Sequence, residues 1–353
     1  MKPAIAIALS GGVDSLVAAY LLKERGHPVF GMHFVTGYEI AASDHPIDLP
    51  ISSHRIFDIG KQLGIPVELF DCRTEFQGKV VDYFVQTYLA GQTPNPCLVC
   101  NPAIKFGTVL AHAGKLGAEY LATGHYARTK RDAHGHYHLY KGRDQKKDQS
   151  YFLARLTQQQ LAKARFPLED MTKSEVKKTA EQKGLHPVTQ KESQDICFIK
   201  GTSYGEFIAK HGGFSAEPGL IEDVGGSILG DHKGLHLFTI GQRRGINIPA
   251  AEPYYVVRLD RSRNRLIVGS KTDLLQSQCK VVQINWINEP PRAALNVHTR
   301  VRYRSREVSS TIVPVDPQMA IVRFETPQAA LTPGQAAVFY NDDEILGGGW
   351  ISA

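Results

Sequence analysis

Two clusters in this 353-residue chain have residue types and spacings suited to covalent chemistry. Ser10-Gly11-Gly12-Val13-Asp14-Ser15 stands between an apolar run and a helix-spaced one. Its paired glycines let the backbone turn sharply and bring N–H groups close to an anion. Hydroxyls and a helix N-terminus add donors and positive potential. This is a phosphate-site pattern without the lysine of a P-loop. A capped tight turn is the plainer alternative, and the strand-loop-helix setting favours the phosphate. The second cluster is Cys97-Leu98-Val99-Cys100, which follows a loop stiffened by Pro94 and Pro96. Two sulfurs three positions apart suit a metal, a cluster or thiol exchange. Zinc would want four protein ligands, and no second Cys-x-x-Cys exists. Cys197, between Ile196 and Phe198, is either a small apolar filler or a third thiol of this chemistry. Further along, Arg300, Arg302, Arg304 and Arg306 alternate, with Val301 and Tyr303 between them. On a strand they would stand about 7 Å apart on one face, a row able to follow a phosphate backbone.

The elements that must position these groups alternate through the first half. Residues 3–9 (PAIAIAL) predict a strand buried on both faces. Residues 13–25 have helical spacing, with Val13, Leu16, Val17, Tyr20 and Leu21 on one side and Gly26 as the C-cap. Strands are expected at 27–35, 66–70 and 120–123, and helices at 56–63 and 111–116. This order predicts a doubly wound parallel sheet with ligands at the carboxyl ends of its strands. After residue 210 the pattern turns β-rich, with strands expected at 235–240, 254–259, 265–269, 279–286, 297–303, 311–314, 320–324 and 336–340. The fold class is therefore α/β then β: a catalytic domain over 1–210, a small β-rich central domain over 211–275, and a C-terminal β-barrel over 276–353.

Composition narrows the function classes. Hydrophobic residues make up 42% and charged residues 22%, which excludes a disordered chain. No apolar run is long enough to span a bilayer. The first ten residues are interrupted by Gly11, Gly12 and Asp14 with no cleavage site, so a strand is expected there and a cytoplasmic protein overall. A net charge of +6 permits a polyanionic partner. Five cysteines are too few and odd in number for a secreted disulfide framework. Cys72 and Cys279 lack companion motifs and are expected to be structural. His134, His136 and His138 around Gly135 are expected at an exposed hairpin tip rather than on a metal.

The Ser10 to Ser15 segment resembles the pyrophosphate loop of enzymes that cleave ATP to AMP and pyrophosphate. Eight motifs in order, SGGVDS, GQTPNPCLVCNPAIKFG, ATGHYAR, KKDQSYFL, SQDICFI, FTIGQRRG, VRYRSR and LTPGQAAVFY, resemble the tRNA-specific 2-thiouridylase family almost end to end. Only loops around 38–54 and 131–138 fall outside the likeness. It implies an adenine-nucleotide-alpha-hydrolase-like first domain and ATP-dependent replacement of oxygen by sulfur at C2 of the wobble uridine. ATP, with Mg²⁺ screening its phosphates, would contact Ala8, Leu9, Ser10, Gly11, Gly12, Val13, Asp14, Ser15, Phe34 and Gly124. Asn95, Pro96 and Cys97 would meet the target base. His125, Lys147, Asp148, Gln149, Arg302, Tyr303 and Gln335 would contact tRNA, by resemblance the tRNAs for Lys, Glu and Gln.

In the family's persulfide scheme Cys197 carries the transferred sulfur. Cys100 acts on it, releasing hydrosulfide or closing a Cys100–Cys197 disulfide. The donor would be a cysteine desulfurase, a sulfur relay protein or hydrosulfide. One position departs from the pattern: many members have aspartate, assigned acid/base work, where this chain has Cys97. Either Cys97 takes that role with a perturbed pKa, or Cys97, Cys100 and Cys197 ligate three irons of a [4Fe–4S] cluster whose fourth iron binds hydrosulfide. The competing reading is another pyrophosphatase-loop enzyme that adenylates a small molecule; it leaves the arginine row, the β-rich half and the three cysteines without a use.

Overall fold

The computed structural model describes residues 2–39, 51–189, 196–213 and 216–352, with only the backbone of 51–54. The chain forms two units. One comprises Met1–Val80, Cys97–Lys200 and Asp343–Leu346; the other comprises Val81–Pro96, Gly201–Asp342 and Gly347–Ala353.

In the first unit the apolar run at 3–9 becomes β1 (Ile5–Ala8), buried at every residue as its unbroken hydrophobicity requires. It is followed by β2 (Val29–Val35), β3 (Val67–Asp71), β4 (Tyr120–Ala122), a hairpin of β5 (Ala127–Arg131) and β6 (Tyr137–Lys141), and β7 (Ala164–Arg165). The sheet is parallel in the order β3-β2-β1-β4-β7. Strand order reverses between β1 and β4, which opens a crevice at their carboxyl ends. The helix Val13–Glu24 buries Leu16 and Val17, as its spacing predicts, and also Ala18, Ala19 and Leu22. It is covered on more than one side, because Val176 and Ala180 of the helix Lys173–Gln182 join the same core as Ile5, Ile7 and Leu9.

The helix expected at 111–116 is the end of a longer one. Pro96–Cys100 runs into a π-helical stretch, Asn101–Val109, and then Leu110–Lys115. Pro102 opens the π-helical segment inside this continuous helix, where it has no N–H to give to the preceding turn. The wide turns leave carbonyls short of partners; the Gln160 amide donates to Pro102 O (2.8 Å) and Phe106 O (3.1 Å). At the β5–β6 tip the Asp132 carboxylate accepts the His134 and His136 N–H groups, each at 2.9 Å, with both histidines exposed as expected. His138 is instead half-buried, its Nδ1 2.6 Å from Glu344 Oε1.

The second unit begins with a four-stranded sheet, order β10-β11-β8-β9, from β8 (Gly219–Asp223), β9 (Ile228–His232), β10 (Tyr255–Asp260) and β11 (Arg265–Gly269). Its core is Ile221, Phe238, Ile246, Val256, Leu266 and Val268. The remaining strands are β12 (Leu275–Trp286), β13 (Leu295–Arg300), β14 (Val308–Asp316), β15 (Met319–Ala329), β16 (Ala336–Asn341) and β17 (Glu344–Ile351). They pair in the order β12-β15-β14-β13-β16-β17, and β17 returns to β12 through Val281–Ile351 and Val282–Trp350. The result is a closed six-stranded barrel with no open edge.

Two expectations fail here. Residues 235–240 form no strand: Leu235–Leu237 is a single 3-10 turn whose apolar side chains pack on the small sheet's core, and an apolar run alone does not separate these outcomes. The strand expected at 297–303 stops at Arg300. Residues 301–305 turn instead, held by Ser305 N–H on Arg302 O at 3.1 Å. The four arginines therefore do not form a row on one strand face.

Candidate nucleotide and thiol site

The chain leaves β1 directly into the loop Ser10 to Ser15, at the crevice where the sheet order reverses. Gly11 has φ +84°, a left-handed conformation that glycine takes without strain. Ser10 Oγ and Ser15 Oγ lie 3.2 Å apart, and Ser15 Oγ also accepts Ser10 N–H at 3.2 Å. The helix Val13–Glu24 begins at Gly12 with no side-chain cap, so its N-terminal N–H groups and two hydroxyls line one turn. That is donor geometry for a phosphate. Gly124, just beyond β4, closes the other side. A Cβ there would come 2.9 Å from both Asp14 C and Ser15 N, so only glycine lets β4 approach the helix start this closely. Phe34 is half-buried in β2.

Asp14 does not point at a ligand alone. Both its carboxylate oxygens accept Lys173 Nζ at 2.7 Å, and Oδ1 also accepts the Tyr126 hydroxyl at 2.8 Å. Two separate segments, those of Tyr126 and Lys173, are thus pinned to the first turn of the helix that follows the loop. Sequence reasoning missed Lys173. It follows the Thr172 cap of a Thr172–Glu175 capping box, where a cation opposes the helix dipole. A lysine in that unfavourable place was the available signal that an anion waits nearby.

The thiols belong to the same unit. Cys97 and Cys197 are exposed and Cys100 half-buried, all three free. Protein nevertheless surrounds them densely enough that desolvation governs their acidity. Burial pushes Cys97 up to about 11, with Cys197 adding repulsion, and Cys100 up to about 12. Burial also raises Cys197; Lys105 opposes the shift at all three sulfurs. Residues 193–195 of the SQDICFI motif lie outside the described residues.

Three cysteines are donor chemistry for an iron–sulfur cluster. Among the described residues, however, no three His, Cys, Asp or Glu side chains converge enough to hold a metal ion. The described side chains therefore give the cluster reading no support.

His125, next to Gly124, is buried, with Thr123 Oγ1 at 2.7 Å from Nδ1 and Lys105 Nζ at 3.4 Å from Nε2. Burial, and then the Lys105 charge, hold its pKa well below the ordinary imidazole value, so the ring is neutral. The Asp148 carboxylate is buried and occupied by the Gly142 and Ser150 N–H groups (3.3 and 3.1 Å) and by Ser150 Oγ (3.0 Å). Gln149 Oε1 accepts Tyr126 N–H at 3.1 Å, and Lys147 is half-buried beside them. This segment braces the Tyr126 that grips Asp14.

The second unit treats its expected residues similarly. Asn95 and Pro96 are buried. The Gln335 amide donates to Thr93 O and Pro94 O, both at 3.1 Å, and so holds the loop leading to them. Arg302 donates to Ile240 O and Ala330 O at 3.0 Å and to Thr332 Oγ1. Tyr303 follows in the turn, with the Arg300 guanidinium 5.5 Å from its ring centroid. Replacing Arg302 with methionine strips donors from two carbonyls, which costs about 3 kcal/mol, and the melting temperature is expected to fall by roughly 5–10 °C. A calorimetric scan checks this; an unchanged melting temperature would refute the bracing role.

The family model described as tRNA methyl transferase HUP domain matches residues 3–201. Models described as a PRC-barrel domain and an aminomethyltransferase beta-barrel domain match 205–270 and 276–351. A curated protein of Desulfosudis oleivorans, named tRNA-specific 2-thiouridylase MnmA, is 51% identical over 100% of this chain and 96% of its own length. Proteins of the same name from Geobacter metallireducens and Geotalea uraniireducens are 44% and 45% identical, covering 99% and 98% of this chain and 96% and 94% of their own. The chain belongs to the MnmA family of tRNA-specific 2-thiouridylases. In this MnmA-family member the Ser10 to Ser15 loop, Gly124, His125 and the three cysteines Cys97, Cys100 and Cys197 belong to one unit. Among the described residues no helix is long and apolar enough to cross a membrane.

Proposed function

We propose that this protein is an ATP-dependent tRNA-uridine 2-sulfurtransferase of the cytoplasm, acting on the wobble uridine, position 34, of the tRNAs for Lys, Glu and Gln. The observation that carries the reading is the pairing, in one unit, of an uncapped nucleotide loop at the sheet's switch point with the thiols of Cys97, Cys100 and Cys197. Carbonyl oxygen is a poor leaving group, so activation must precede sulfur transfer. ATP bound as its Mg²⁺ complex on the loop presents its α-phosphate to the C2 oxygen. The O–P bond forms, pyrophosphate leaves, and the loop N–H groups and Ser10 and Ser15 hydroxyls take up its charge.

Sulfur then arrives on Cys197 as a persulfide, supplied by a cysteine desulfurase or sulfur relay protein. The Cys100 thiolate attacks Cys197 Sγ, a Cys100–Cys197 disulfide forms, and the released hydrosulfide attacks C2 with loss of AMP. An external thiol must reduce the disulfide before the next turnover. Cys97 acts beside the base with Asn95 and Pro96. We assign the nucleotide and sulfur steps to residues 1–210 and RNA contacts to 211–275 and the barrel of 276–353. The turn braced by Arg302, with Tyr303, and the segment Lys147 to Gln149 are the RNA contacts we assign individually, together with His125 and Gln335.

Pyrophosphate release tests the substrate class. Unmodified tRNA is expected to stimulate it at least about tenfold over the rate with ATP alone, since productive ATP cleavage needs the uracil oxygen in line. Release that ignores tRNA but responds to a small carboxylate or purine acceptor would overturn the proposal in favour of small-molecule adenylation.

A further inference from the structure

Lys105 has no place in the chemistry described so far. It lies in the π-helical stretch Asn101–Val109, five residues after Cys100 and eight after Cys97. In that register residues five apart lie nearly one turn above each other, which brings Lys105 to the side of the helix that carries the thiols. Its ammonium is not spent on a carboxylate in any ion pair found among the described residues; the hydrogen-bond partner found there is His125 Nε2, at 3.4 Å. That nitrogen must accept, so Nδ1 carries the ring proton and gives it to Thr123 Oγ1 at 2.7 Å. The Phe166 ring, edge-on to His125 at 6.2 Å, holds the imidazole in place. A neutral, wedged histidine is a rest for an ammonium that leaves its positive charge uncompensated. Other charges act on Cys197, namely Lys200 and Glu39, whereas Lys105 acts on all three sulfurs.

We propose that Lys105, seated on His125, is a positioning residue that draws anionic sulfur, the hydrosulfide ion or a deprotonated persulfide, to the thiol recess. The proposal deepens the sulfurtransferase reading and rests on it for the identity of the anion. The cation itself can be detected without any transfer of sulfur to RNA.

Each thiol is alkylated in the full-length protein at pH 8 with iodoacetate, an anion, and in parallel with iodoacetamide, which is neutral. Both reagents consume the same thiolate, so the ratio of their rates at Cys100, read by peptide mass spectrometry, cancels its abundance and reports local charge. Lys105→Gln and Lys105→Met are each expected to lower that ratio roughly fivefold, Lys105→Arg to restore it, and Lys200→Met to leave it unchanged at Cys100. An unaltered ratio in both neutral variants would overturn the proposal. Thiouridine formation by the unmodified protein is scored separately: its absence with the ratio effect intact would sink the sulfurtransferase reading and leave the cation in place.

Discussion

Replacing Cys100 or Cys197 with serine lowers 2-thiouridine formation by roughly 10³-fold or more, while ATP binding and tRNA affinity stay near their original values. A serine hydroxyl cannot hold a sulfane sulfur, and it cannot open a persulfide at neutral pH. Neither residue is among the buried core side chains, so the loss does not come from unfolding. The acidity of these thiols adds a dependence on pH. With Cys100 pushed up to about 12 by burial, its thiolate is scarce at pH 7. As pH rises toward that value, the reactive fraction grows about tenfold per pH unit. Alkylation of Cys100 by iodoacetamide is therefore expected to climb steeply from pH 7 to 9. Near-normal thiouridine from either serine variant would remove the persulfide route.

Gly124→Val is expected to cut kcat/KM for ATP by about 10²-fold, because a displacement near 1 Å at the reacting groups suffices for that loss. The new Cβ would stand 2.9 Å from the carbonyl carbon of Asp14 and from Ser15 N. Backbone atoms cannot swing aside as a flexible side chain does. The helix start must shift, taking with it the N–H donors of the loop and the Asp14 carboxylate clamped by Lys173 and Tyr126. Pyrophosphate release under saturating tRNA measures the effect. Unchanged kinetics would mean that the crevice beside β4 is not where ATP sits.

The parallel sheet was legible because its signal is local. PAIAIAL, bounded directly by Ser-Gly-Gly and then by a helix-spaced run, reads as a strand buried on both sides followed by the turn to a helix. The strand-turn-helix setting of Ser10 to Ser15 could be read from those residues alone. What holds the loop could not: Asp14 meets Lys173 across 159 positions, and no periodicity encodes a contact at that separation. The strands of the second unit were found unevenly for a different reason. GLIED, ILGDH and EILGGGWI mix glycine and carboxylates into their apolar positions, which dilutes the alternation that identifies a strand.

The arginine series misled because alternation was taken as strand geometry. Arg302 instead spends its guanidinium on Ile240 O, Ala330 O and Thr332 across a turn. Cys-x-x-Cys puts Cys97 and Cys100 on one short helix, but spacing along a chain does not say whether Cys197 closes a metal site. The arrangement of side chains does, and among the described residues it forms none.

The most direct test is a single turnover on iron-free protein charged with one persulfide on Cys197, mixed with ATP and an unmodified tRNA transcript, followed by nucleoside mass spectrometry and AMP quantitation. About one 2-thiouridine at position 34 per persulfide, matched by one AMP and one Cys100–Cys197 disulfide, is the predicted result. Thiouridine that forms only after iron and sulfide are restored to the protein would contradict this account.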